Sequence, residues 1–234
     1  MKKGRLVTAV LAGCCAFSAH AGLETTIGLY SDYIFRGVSQ TNEDPTPQAT
    51  LDWFNDSGWY AGLFVSDVDF GESGDWEIDA YGGYSGAFGN SGWEYDIQLV
   101  YYAYPDNDFT EDYPELLLGF TYDWFSSQIG YTWDNYGLGE TAVYLNIGGE
   151  FPLPNEFSLR ANVGYYDFDD ADNDFFPGAP DSYTDWVIGI SRSWSGFDFA
   201  LDYVDTNSDG EVLFGDNAGD RVVFSVSRTF SLIE

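Results

Sequence analysis

The chain has 234 residues, 39 of them acidic and eight basic, for a formal charge of −31 and a sequence pI near 4.1. So much negative charge excludes a nucleic-acid partner, whose phosphates it would repel, while a 44% hydrophobic and 19% aromatic content excludes a disordered acidic tail. Beyond residue 21 no apolar run reaches the roughly 18 residues of a transmembrane helix. A membrane barrel stays open, because its alternating strands average to mild hydropathy.

Residues 1–21 read as a secretory signal peptide. Lys2, Lys3 and Arg5 form the basic start, Leu6 to Phe17 the apolar stretch, and Ala19-His20-Ala21 a small-x-small cleavage site. Leu11-Ala12-Gly13-Cys14 offers a rival processing route in which Cys14 carries a lipid. Cleavage after Ala21 removes both cysteines, the one histidine, the one methionine and both lysines. The mature chain then holds five cations, Arg36, Arg160, Arg192, Arg221 and Arg228, against all 39 acids. A thiol nucleophile, a histidine base and a histidine- or cysteine-held transition metal are thereby excluded. Asp167, Asp169 and Asp170 could be assembled into an acid–base pair, but nothing singles them out, so no enzyme is expected.

Residues 22–234 form a single domain. Twelve stretches alternate with period two, at 23–36, 47–54, 58–66, 76–88, 92–104, 115–124, 127–134, 140–151, 156–166, 183–194, 196–204 and 220–230. In the fifth, Trp93, Tyr95, Ile97, Leu99 and Tyr101 share one face, and Glu94, Asp96, Gln98, Val100 and Tyr102 the other. The apolar faces carry no carboxylate, and their charges are Arg192 and Arg228, near strand ends where a long side chain can snorkel. A secreted β-sandwich would alternate too, but it would cover its apolar faces with a second sheet.

Two features favour a barrel. Links after even-numbered stretches are tight, such as Asn55-Asp56-Ser57, Gly89-Asn90-Ser91, Phe125-Ser126 and Ser195, whereas most links after odd-numbered ones are longer and acidic. Rings also flank the tight links: Trp53 and Trp59, Phe88 and Trp93, Phe151 and Phe157, Trp194 and Phe197. The expectation is an all-β, up-and-down antiparallel barrel of about 12 strands in the bacterial outer membrane. It would have short periplasmic turns, long acidic extracellular loops, and lipid as its first partner.

The stretch Gly28-Leu-Tyr-Ser-Asp-Tyr-Ile-Phe-Arg-Gly-Val-Ser-Gln40, with Pro47-Gln48, Gly58-Trp-Tyr-Ala-Gly-Leu-Phe64 and Glu77-Ile-Asp-Ala-Tyr-Gly-Gly-Tyr84, resembles the TorF family of porins from proteobacteria. The resemblance covers residues 23–85 most closely and implies an outer-membrane barrel, with no catalytic or binding residues to carry over. Outer-membrane barrels commonly end on an aromatic residue that the barrel-assembly machinery reads. Here that residue would be Phe230, although Ser231 to Glu234 follow it.

With the apolar faces toward lipid, the other faces turn inward. They would line a pore with Glu24, Asp32, Asp52, Glu77, Asp79, Glu94, Asp96, Glu115, Asp123, Asp185, Asp198 and Asp202, against Arg36, Arg160 and Arg221. Three guanidinium groups cannot neutralise that many carboxylates, and burying them dry is costly. A water-filled, negative, cation-preferring lumen for small hydrophilic or cationic solutes is therefore expected. The competing expectation is a structural or adhesive barrel that does not conduct. Asp205, Asn207, Asp209, Glu211 and Asp216 follow most of a calcium-loop spacing, and Asp167, Asp169, Asp170, Asp172 and Asp174 form a second acidic cluster. Oxygen ligands at this spacing suit a hard cation, Ca²⁺ for the first set and a divalent cation for the second, with an ordinary solvated turn as the alternative.

Overall fold

A computed structural model describes residues 21–70, 76–105, 112–168 and 178–233. Residues 1–20 of the expected signal peptide lie outside the described residues, as do Asp169, Asp170, Asp172 and Asp174.

Twelve strands pair antiparallel, each with its sequence neighbours, and close on themselves. They are β1 (Gly22–Tyr30), β4 (Thr46–Phe54), β5 (Trp59–Asp67), β6 (Trp76–Ala87), β7 (Trp93–Ala103), β8 (Tyr113–Tyr122), β9 (Phe125–Thr132), β10 (Ala142–Pro152), β11 (Phe157–Phe168), β12 (Ser182–Trp194), β13 (Phe197–Thr206) and β14 (Arg221–Ile233). The seam joins β1 to β14, with Leu29 opposite Val226 and Thr26 opposite Thr229. Phe230 does not end the last strand, because β14 continues through Ser231 to Ile233.

The expected stretch 23–36 is not one strand. β1 stops at Tyr30, and a separate small hairpin follows, β2 (Ile34–Phe35) paired with β3 (Val38–Ser39). Its two-residue tip is Arg36-Gly37, with φ of 50° and 83°. Positive φ at both central residues is what a tight hairpin turn requires, and glycine supplies it without strain. The link expected at Phe125-Ser126 falls earlier, at Asp123-Trp124, and Asp123 takes φ 53° there.

Alternation sorts the side chains. Ile27, Leu51, Leu63, Ile97, Ile129, Leu145, Ile147, Ile188 and Leu201 are exposed on the outer surface. Rings bound this aliphatic belt at both rims. Trp53, Trp59, Trp93, Tyr122, Trp124, Trp194, Phe197 and Phe230 face out beside the short turns, and Trp76, Tyr101, Tyr131, Trp133, Tyr165 and Tyr203 beside the long loops. A belt of aliphatic residues between two aromatic girdles suits a bilayer, which replaces the covering sheet that a sandwich would need. Arg192 and Arg228, the outward cations, lie over the rings of Phe157 and of Phe197 and Phe230, at 4.9 Å and 5.0 Å. Their charge thus stays at the short-turn rim.

Candidate functional site: the lumen and its hairpin

Several carboxylates stand on the inner wall. Asp52, Glu77, Asp79, Asp96, Glu115, Asp185, Asp198 and Asp202 sit on the inward positions of their strands. Glu24 and Glu94 are half-buried near the short-turn rim, accepting from Ser231 Oγ at 3.1 Å and Thr121 Oγ1 at 3.4 Å. Asp123 does not line the wall, because the Asp123-Trp124 turn leaves it exposed.

Tyrosine phenols meet much of this charge. Tyr33 donates to Glu77 at 2.7 Å, Tyr60 to Asp96 at 2.8 Å and Tyr102 to Glu115 at 2.9 Å. Tyr144 reaches both oxygens of Asp185 at 3.2 Å, and Tyr81 donates to Asp52. Hydroxyls add to this at Asp52 from Thr50, at Asp96 from Ser85 and at Asp198 from Ser193. Arg160 pairs with Asp202. A phenol O–H to a carboxylate is a charge-assisted bond that adds no counter-charge, so it makes a buried carboxylate tolerable while the wall keeps its negative surplus. Asp79, wholly buried beside Glu77, has no phenol, hydroxyl or guanidinium donor to either oxygen among the described residues.

The loop-side half of the lumen is filled rather than open. The segment between β1 and β4 folds inward, burying Tyr33, Arg36, Val38, Ser39, Gln40 and Thr41. Asp32 anchors its base. It accepts from Ser39 Oγ at 2.6 Å and Thr41 Oγ1 at 2.9 Å, and pairs with Arg221 Nη1 at 3.1 Å. Asp32 and Arg36 are therefore residues of the inserted segment and not of the wall, while Arg221, at the start of β14, ties the segment to the barrel.

The hairpin spans the lumen. Tyr33 packs on Phe64 of β5, Phe35 meets Tyr102 of β7, and Tyr183 of β12 donates to the Arg36 carbonyl at 2.9 Å. One apolar cluster joins Tyr33, Phe64, Val68, Val100, Tyr102, Tyr104, Tyr113 and Leu117, and a second joins Val38, Ala142, Tyr144, Tyr166, Tyr183 and Ala218. The expectation of a lumen that is watery throughout is corrected here. Phenol donors and aromatic packing let the loop-side carboxylates sit dry, a source of hydrogen bonds that counting guanidinium groups overlooks.

Arg36 is the centre of this constriction. Its Nη2 donates to both oxygens of Glu115 at 2.7 Å. Burial works against the charge, but the Glu115 carboxylate and the surrounding phenols hold the guanidinium well above its ordinary pKa. The Tyr33 phenol is likewise pushed well up, first by burial and then by the charge of Glu77.

The calcium-loop spacing is used differently. Residues Ser208–Phe214 form a short helix, α1, capped by Asn207, whose Oδ1 accepts from Gly210 N at 3.3 Å and from Thr184 N at 3.1 Å. Asn207 Nδ2 donates to Asp209 at 3.0 Å, Asp205 accepts from its neighbour Thr206 at 2.9 Å, and the Asp216 carbonyl accepts from Arg221 at 2.6 Å. Asp209 and Glu211 stand in the first turn of α1, whereas Asp205 belongs to the end of β13 and Asp216 to the turn after the helix, so the spacing serves a strand, a cap and a helix instead of an ion loop. Among the described residues no group of three or more His, Cys, Asp or Glu is placed to hold a metal ion.

Residues 16–230 match a bacterial family described as being of unknown function, Gcw_chp. The chain belongs to that family. No curated protein matches the sequence. Among solved structures, the barrel is similar to the NanC porin, with TM-score 0.57 and 10% identity over 90% of this chain and 100% of that one. It is similar to the KdgM porin at 0.51 and 9%, covering 90% and 99%, and to the COG4313 outer membrane channel from Pseudomonas putida F1 at 0.52 and 8%, covering 93% and 97%. At such identities the likeness is one of fold, and the fold is the porin barrel. The TorF resemblance is met at this coarser level, as a Gcw_chp protein with a porin fold. The part of that motif centred on Ile34 to Ser39 is the hairpin inside the lumen.

Proposed function

We propose that this protein is a passive, cation-preferring channel of the bacterial outer membrane for small hydrophilic solutes, constricted across its loop-side half by the hairpin β2–β3. The observation that carries the reading is a closed twelve-stranded cylinder whose outer belt is aliphatic and whose inner wall has more carboxylates than guanidinium groups. Aliphatic residues facing outward place the cylinder in lipid. Unbalanced carboxylates facing inward concentrate cations and repel anions. One solved KdgM porin is in complex with oligogalacturonate, a polyanion; the wall charge of this chain opposes such a solute. Passage requires the Arg36 tip to withdraw from the wall.

Planar-bilayer recording tests the reading. The expected result is small, cation-selective steps that grow when residues 34–39 are replaced by a short Gly-Ser link. Anion preference would overturn it. The dense packing of the hairpin favours one second reading, a structural or adhesive barrel that never conducts. Silence from both the native and the hairpin-less protein would select that reading.

A further inference from the structure

The surroundings of Arg36 form a cation cage. The guanidinium carbon lies 4.3 Å from the ring centre of Tyr144, 4.5 Å from that of Tyr166 and 4.6 Å from that of Phe35. Glu115 closes one edge with both carboxylate oxygens and is itself held by Tyr102. The wall makes room at Gly130, where a Cβ would fall 2.6 Å from Glu115 Oε1 and 3.1 Å from Arg36 Nη2. Glu115, Gly130, Tyr144 and Tyr166 stand on β8, β9, β10 and β11. Apart from Phe35, the cage therefore belongs to the barrel, and only its occupant comes from the hairpin.

Aromatic faces around one carboxylate recognise an organic cation through ring quadrupoles and a single charged edge. A flat guanidinium suits this better than a compact, strongly hydrated ammonium. Arg36 Nη1 is buried with no hydrogen-bond partner among the described residues, so the cage holds the group by its faces and one edge. An alkylguanidinium from solution would satisfy the same contacts. Arg36 also sits in a left-handed conformation at the tip of a tight turn, strain that the surrounding contacts must outweigh.

We infer that this wall cluster is a binding site for guanidinium-type organic cations and that Arg36 is its tethered occupant in the closed lumen. The inference deepens the channel reading, on which it rests for how a solute reaches the site. It assigns the solute class, a small cation with a flat, weakly hydrated head.

Chemical rescue of Arg36→Ala in detergent and in planar bilayers tests it, with ethylguanidinium, the group that the substitution deletes, as the probe. Neutral ethylurea is the shape control. Millimolar ethylguanidinium is expected to raise the melting temperature of the variant by a few degrees and to lower its conductance roughly twofold or more, leaving the native protein unmoved. Ethylurea should do neither, and adding Glu115→Gln should abolish the response. Equal responses in native and variant protein, no response in the variant, or a response that survives Glu115→Gln would overturn the site. If Arg36→Ala does not fold unaided, the yield of folded barrel becomes the readout; recovery with ethylguanidinium supports the site, and no recovery overturns it. A melting shift without conductance in any variant would support the cage and reject the channel.

Discussion

A phenol beside a carboxylate is the recurring unit of the inner wall. Tyr144 serves Asp185 and also accepts from Asn146 Nδ2 at 3.1 Å. Tyr144→Phe therefore leaves Asp185 short of a donor while keeping the ring against Arg36. A loss of about 1–3 kcal/mol is expected, read as a lower midpoint in urea unfolding of the reconstituted barrel. Gly130→Ala forces a Cβ into the Arg36–Glu115 contact, so the constriction should loosen and conductance rise. Unchanged single-channel steps in that variant would show that Arg36 does not set the narrow point. At this scale the sequence was half legible. The inward carboxylates follow from alternation alone, whereas the phenols do not stand out, because tyrosine also serves the outer girdles at Tyr101, Tyr131, Tyr165 and Tyr203. Arg36 shares the parity of a wall residue but belongs to an inserted tip.

The barrel strands were legible because one face meets lipid and the other does not, which keeps period two intact along the whole length. The hairpin was not, because β2 and β3 each have two residues, too few to show a period, and the run from β1 into β2 looks continuous. The helix α1 was hidden for a related reason: Asn207, Ser208, Asp209 and Gly210 serve equally as cap, turn or ion loop until neighbours decide. Replacing the hairpin should leave the barrel folded, since every wall strand keeps both ladder partners, and should expose Glu77 and Glu115 to water. Circular dichroism would then stay β-rich while conductance increases. Alkali should act on the same element. Tyr33 and Tyr104 are held neutral by burial, with pKa values well above the ordinary 10.0. A folded value raised above the unfolded one contributes stability that is complete below pH 10.0 and lost as the pH climbs beyond it. The hairpin should release before the barrel unfolds, seen as a rise in conductance above that pH with unchanged far-UV dichroism.

The whole molecule is a cylinder greasy outside and negative inside, and the two surfaces make separate predictions. Ile147→Arg, at an outer position of β10, should cost about 2–4 kcal/mol at mid-bilayer depth, measured by equilibrium unfolding in vesicles. Converting Asp52, Asp96 and Asp198 together to Asn should reduce the cation preference. The cation preference proposed for the native channel should itself fade from dilute to molar salt as screening shortens the reach of wall charge. Reversal potentials in graded KCl would check both.

The seam between the first and last strands has a consequence for biogenesis. Every other ladder joins strands that are consecutive around the wall and close in the chain, but Thr26 must find Thr229, 203 positions away. Until β14 is delivered, a nascent sheet has two raw margins, each a template for a stray β-segment. A chain that closes this last zipper seals on itself, and one that does not leaves both margins open to a neighbour.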